Sequence, residues 1–170
     1  MNKNSAFEYL LNKFLEWQNE QNVSVPMTKV KALKLLFYVA SIPVMNRDLL
    51  DIFNKFYAMQ YGPVESDIYT AILNDDLAHY SFQNSNIYIK KSYHRSPELS
   101  DADISRLDAS FAMLKARDCD MIKLSAFDLV QRTHSWSCWK DTIFLSQLLG
   151  LSSYKMSSSD IKKCAKEVWG

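Results

Sequence analysis

Phe56-Tyr57-Ala58-Met59-Gln60-Tyr61-Gly62-Pro63-Val64-Glu65-Ser66-Asp67-Ile68-Tyr69 joins an aromatic and aliphatic run, able to lie flat as a strand, to a Gly-Pro step and then to residues at helical spacing. Gly62 can take backbone angles closed to other residues. Pro63 fixes its own φ and suits the first turn of a helix, where the N–H it lacks would have no partner. The reading is a sharp corner at Gly62 that leads from strand into helix, with Tyr61 and Val64 on its flanks.

Upstream of the corner, two helices are expected. Ser5 and Glu8 have the spacing of a capping box, and Phe7, Leu10, Leu11, Phe14 and Leu15 recur at the helical period. Pro26 and Thr28 open a second helix through Val30, Ala32, Leu33, Leu35, Leu36, Phe37, Val39 and Ala40, apolar on most sides apart from Lys29, Lys31 and Lys34. Such a helix belongs in the middle of the domain, with its lysines turned to water; Lys34, inside the apolar run, needs a carboxylate or carbonyls if its head group is covered. Pro43 ends this helix, and Val44 to Lys55 fits either a tucked loop or a short helix.

Downstream, Ile68, Tyr69, Ile72 and Leu73 give a short helix. Tyr80–Phe82 and Ile87–Ile89 read as a hairpin around Gln83-Asn84-Ser85-Asn86, to which Phe56–Met59 could add a third strand. Ser100 and Ser125 cap two further helices, the second with Phe127, Leu129 and Val130 as its apolar members. Ile143–Leu149, a serine-rich link and an amphipathic helix from Asp160 to Val168 close the chain. Trp169 is the tryptophan expected to be exposed and free to dock.

With 170 residues, 48% hydrophobic and 23% charged, the chain is long enough for one domain with a sizeable core. Only 3 Gly and 4 Pro leave little for phosphate-cradling loops and favour helices. The fold expected is mainly α (α+β): a compact helical domain around a central apolar helix, with a small antiparallel sheet. A net charge of +1 supplies no field to gather nucleic acid or an anionic membrane. Cys119, Cys138 and Cys164 form no disulfide framework, which points to a reducing cytoplasm, and no apolar run approaches a membrane span.

The second unusual stretch is Thr133-His134-Ser135-Trp136-Ser137-Cys138-Trp139. His134 and Cys138, four apart, would share a face on one helix and could suggest a metal pair or a thiol with its base. A zinc site needs more ligands than this spacing supplies, and no Walker loop or nucleophile elbow is present. No metal, cofactor or catalytic residue is therefore assigned. His134 is read as a hydrogen-bonded pivot among Thr133, Trp139 and backbone groups, or as part of a polar patch that meets a partner.

Lys34-Leu35-Leu36-Phe37-Tyr38, Tyr61-Gly62-Pro63-Val64, and Thr133-His134 with Trp139, in this order, resemble the Panacea domain of SocA-like bacterial and phage antitoxins. The resemblance covers about residues 7–145 of a single domain spanning 1–170, with 146–170 as a helical extension. Ala32, Leu33 and Met59 depart from the pattern, and Trp136 and Cys138 lie outside it. The resemblance implies a non-catalytic protein that binds and neutralises a protein toxin, one encoded by an adjacent gene. Delivery of the toxin to a protease is an alternative, as is, from another class, a thiol or metal enzyme using Cys138 and His134.

The candidate toxin-binding residues are Tyr61, Gly62, Pro63, Val64, Tyr69, Thr133, His134, Trp136 and Trp139, with Lys34, Leu35, Leu36 and Tyr38 as structural members of the motif. Tyrosine and tryptophan supply large contact area at small entropic cost. The competing reading of the Tyr61–Val64 corner is purely steric. Either way, the corner and the His134 stretch are expected to lie together and support one face. The sequence leaves the oligomeric state open.

Overall fold

A computed structural model describes all of residues 1–170, in which helices packed on one another carry two small antiparallel sheets. Helix α1 (Lys3–Glu20) buries Phe7, Leu10, Leu11 and Phe14 of the stripe its periodicity predicts, leaves Leu15 half-buried, and buries Trp17 in addition. Its cap differs from expectation. Asn2, not Ser5, is the N-cap, accepting from the Ser5 N–H at 3.0 Å, and Glu8 is buried with its carboxylate on the His79 N–H at 2.6 Å. The long-range bond to His79 takes up the carboxylate that a capping box would need.

Helix α2 (Lys29–Ser41) begins at the Thr28 cap, which accepts from the Lys31 N–H, and stops where Ile42 precedes Pro43. Every residue from Lys31 to Ser41 is buried. Lys31 therefore does not face water as expected; a helix covered on all sides leaves it none to face. Its Nζ donates to the Ile122 carbonyl at 2.6 Å, and the Lys34 Nζ donates to the Pro63 carbonyl at 2.8 Å. Lys29 alone reaches outward, its ammonium 5.5 Å from the centre of the Tyr69 ring. Between α2 and the corner the chain is a loop that tucks Leu49, Leu50 and Phe53 into the core, one of the two arrangements its sequence allowed.

The Gly-Pro step is a hairpin rather than a strand-to-helix corner. Strand β1 (Phe56–Met59) turns through Gln60-Tyr61 into β2 (Gly62–Glu65), with Met59 opposite Gly62 and Ala58 opposite Pro63. Gly62 has φ of +91°, the left-handed residue with which such loops close. Pro63 thus lies in an edge strand with no further strand on its outer side, where no ladder bond is lost with its missing N–H. Helix α3 (Ser66–Leu73) starts three residues later, capped by Glu65, which accepts from the Ile68 N–H at 2.9 Å.

Strands β3 (Tyr80–Gln83) and β4 (Asn86–Ile89) form the expected hairpin, with φ of 49° at Asn84 and 70° at Ser85. Strand β1 does not join them. It lies between β2 and β5 (Tyr154–Lys155) in a sheet of its own, so part of the C-terminal stretch is strand as well as helix.

Ser100 and Ser125 cap α4 (Asp101–Arg117) and α5 (Ala126–His134) in full capping boxes with Asp103 and Asp128. Helices α6 (Ser137–Leu148) and α7 (Ser158–Trp169) complete the chain. Trp169 is not free to dock: it is half-buried, with its ring edge-on to Tyr38 and Trp136 at 6.2 and 6.4 Å. One apolar cluster of 40 buried residues runs from α1 through α2 to α7. No helix is long and apolar enough to cross a membrane.

Candidate functional site

The three marked stretches meet around Gly62. A Cβ built on Gly62 would lie 2.3 Å from the Thr133 Oγ1 and 3.1 Å from the Lys34 Cε, so α2, the β1–β2 turn and the end of α5 touch where only a hydrogen atom fits. Three polar contacts hold the junction. Lys34 grips the Pro63 carbonyl, Thr133 donates to the Val130 carbonyl at 2.7 Å, and the Trp139 Nε1 donates to the Met59 carbonyl at 3.0 Å. The His134 ring stacks on Trp139 at 4.0 Å with 13° between planes. The corner and the His134 stretch thus lie together, as expected.

Burial sets the electrostatics of this junction. Lys34 is 1% exposed with no carboxylate beside it, and desolvation brings its pKa down to about 7. His134 is held below its usual range, first by desolvation and further by the Lys34 charge, with the Gln60 backbone pulling the other way. Its Nε2 is buried and has no protein partner. Lys31, one turn earlier on α2, is drawn to about 8 by desolvation alone.

Next to the junction lies an open, largely apolar groove of about 520 Å³. Gln60 and Tyr61 of the first hairpin turn form one wall, Ser85 of the second another, and Phe127, Val130 and His134 of α5 a third. Thr28 and Val30, at the start of α2, also line it. Two aromatics stand out to solvent here, Tyr61 at 63% and Phe127 at 69% exposed. The second hairpin is tied to the segment that opens α2: the Lys29 N–H donates to the Ser85 carbonyl at 2.7 Å, and the Ile87 N–H to the Met27 carbonyl at 3.0 Å.

The candidate residues divide into support and surface. Gly62, Pro63, Val64 and Thr133 are buried, and Trp136 is 2% exposed with its ring against Phe37 at 4.9 Å. Leu35, Leu36 and Tyr38 are core. Tyr61, His134 and Trp139 keep accessible atoms, and Tyr69 is half-buried under Lys29, away from the groove lining. Phe127 escaped the sequence reading because it was counted with Leu129 and Val130 as apolar. Residues two apart on a helix point about 200° away from each other, so Phe127 and Leu129 cannot share a core face. That spacing was the available signal.

The possible thiol pair is not built. Helix α5 ends at His134 and α6 begins at Ser137, so the interval of four does not place His134 and Cys138 on one helical face. Cys138 is buried next to Cys164, and desolvation pushes its thiol well above the ordinary range, the reverse of what a nucleophile needs. No group of three or more His, Cys, Asp or Glu is arranged to hold a metal.

Comparison with curated proteins and with solved structures gave no match. The family described as antitoxin SocA-like, Panacea domain, matches residues 33–140. That span begins on α2 and takes in the Lys34 motif, both hairpins, all of α5 and Trp139, so the junction at Gly62 lies within it, as does the groove apart from Thr28 and Val30. By this match over most of its length, the chain belongs to the SocA-like, Panacea-domain antitoxin family.

Proposed function

We propose that this protein is a cytoplasmic antitoxin that neutralises a protein toxin by binding it directly, without catalysis, through the groove beside Tyr61 and Phe127. The observation that carries the reading is the exposure of two aromatic side chains on a rigid, braced rim. Large aromatic anchors dominate the energetics of protein interfaces, and anchors held in place before binding lose little entropy when the partner arrives. Lys34, Gly62, Thr133 and Trp139 fix the turn that carries Tyr61, while α5 carries Phe127. His134, half-buried in the lining and stacked on Trp139, adds ring surface to the groove wall.

The buried members of the motif act through this rim, by holding its shape. A toxin covered over at least roughly 1,000 Å² in total would have its working surface blocked or its inactive form held. The test is co-expression with the product of the neighbouring gene. The wild-type chain restores growth, and the Tyr61→Ala/Phe127→Ala double variant, folded by circular dichroism, does not. A neighbouring product that is harmless alone, or one that kills equally with the wild-type chain present, contradicts the proposal. Protection that disappears in protease-deficient cells would replace direct neutralisation by delivery to a protease.

A further inference from the structure

The second half of α6 and the turn after it carry an apolar surface that the toxin-binding reading does not use. Phe144 is 61% exposed, Leu145 41%, Leu148 68%, Leu149 54%, Leu151 49% and Tyr154 38%. At about 100° per residue, Phe144, Leu148, Leu145 and Leu149 fall within one arc of roughly 140° on the helix. Gly150, with φ of +68°, reverses the chain; the Leu151 N–H returns to the Ser146 carbonyl at 2.9 Å and the Gly150 N–H to the Gln147 carbonyl at 3.1 Å, which folds Leu151 back against the helix end. Lys140, Asp141, Gln147 and Ser152 are exposed around it, an apolar centre with a polar rim.

We infer that this face pairs with the same face of a second copy of the chain, two α6 helices packing about a two-fold axis. A large exposed apolar side chain presents about 150–250 Å², so these six fractions amount to roughly 600 Å² per chain. Pairing two such faces buries up to roughly 1,200 Å² in total, the lower end of specific, stable interfaces, whereas 600 Å² left open is at the limit of what monomeric proteins tolerate. A single helical stripe meets itself across a two-fold without any second surface having to match it.

The stripe also lies outside the 33–140 span that matches the antitoxin family, apart from the surface assigned to the toxin. Trp139, which ties α6 to Met59 at the groove junction, points about 150° around the helix from the centre of the stripe. The dimer therefore leaves both grooves open and carries two toxin sites.

The test is sedimentation velocity and light scattering on the purified full-length chain over a dilution series. The expected result is a monomer–dimer equilibrium whose dissociation constant rises about tenfold or more in Phe144→Asp and in Leu148→Asp. Both variants keep the wild-type circular dichroism spectrum and their protection against the toxin. A wild-type chain that is monomeric at every concentration overturns the inference, as does a dimer unaffected by both substitutions. Loss of protection in a variant of a monomeric wild-type chain assigns the stripe to the toxin and overturns it too, while the groove proposal is judged separately by Tyr61→Ala/Phe127→Ala.

Discussion

The two hairpins have the same local design and opposite surroundings. Each joins two four-residue strands through a two-residue turn and presents that turn to the groove. The β1–β2 turn closes on Gly62, with Thr133 and Lys34 filling the space where a side chain would be. The β3–β4 turn places Asn84 and Ser85 in the left-handed region, and its second strand, β4, is half-buried at Ile87 and exposed elsewhere. One turn is shaped by what packs beneath it. The other is shaped by its own residues and is anchored to the start of α2 by backbone bonds alone.

That contrast can be broken most severely at Gly62. Gly62→Ala sets a Cβ against the Thr133 Oγ1 and requires alanine to hold φ of +91°, so stability should fall by about 3 kcal/mol or more, read by chemical denaturation. Adding Thr133→Ala should return part of the loss, the part due to the clash, and leave the backbone strain. A Gly62→Ala protein as stable as wild type would mean that the junction is not tightly closed.

The next effect concerns Lys34. Its folded pKa, about 7, lies below the 10.5 of the free side chain, so between these values the unfolded chain binds more protons and stability rises with pH. The desolvation penalty is fully present below pH 7 and fades above it. The expected gain from pH 7 to 8 is up to about 1 kcal/mol. Lys34→Met should remove that part of the slope and leave the part above pH 8 that comes from Lys31. An unchanged slope in the variant would show Lys34 to be solvated.

Smaller changes refine the comparison. Trp139→Phe keeps a ring to stack on His134 but loses the bond to the Met59 carbonyl, and should cost about 1 kcal/mol. Ser85→Gly, the reverse experiment on the second turn, should stabilise by about 0.5 kcal/mol, because glycine accepts a φ of 70° more readily than serine does. Thermal unfolding of the two variants side by side checks both signs. Destabilisation by Ser85→Gly would mean that this turn too is held by its side chains.

What the sequence made legible follows the same division. The apolar run of α2, the Ser100 and Ser125 caps and the Asn84-Ser85 turn are local signals, each with its own steric or hydrogen-bonding cause, and each led to the observed element. Gly62 marked a change of direction for the right reason. Its partner element was misread because Pro63 suits an edge strand as well as a helix start, and only the pairing with Ala58 distinguishes them. The proximity of Lys34, Gly62 and Thr133 was approached through the order of family motifs, while the carbonyl that Lys34 would find, and the full burial of Lys31, depend on long-range packing. Phe127 and the α6 stripe were hidden for a similar reason: an apolar residue in an amphipathic segment reads as core until the neighbouring element fails to cover it.

Binding of the toxin at the braced rim beside the first turn, as proposed above, is decided by calorimetric titration of the neighbouring gene's product into the purified chain. Tyr61→Ala/Phe127→Ala, with its stability within about 0.5 kcal/mol of wild type, should bind at least about 30-fold more weakly, a loss near 2 kcal/mol. Affinity equal to wild type in that folded double variant would contradict the account and place the toxin elsewhere on the molecule.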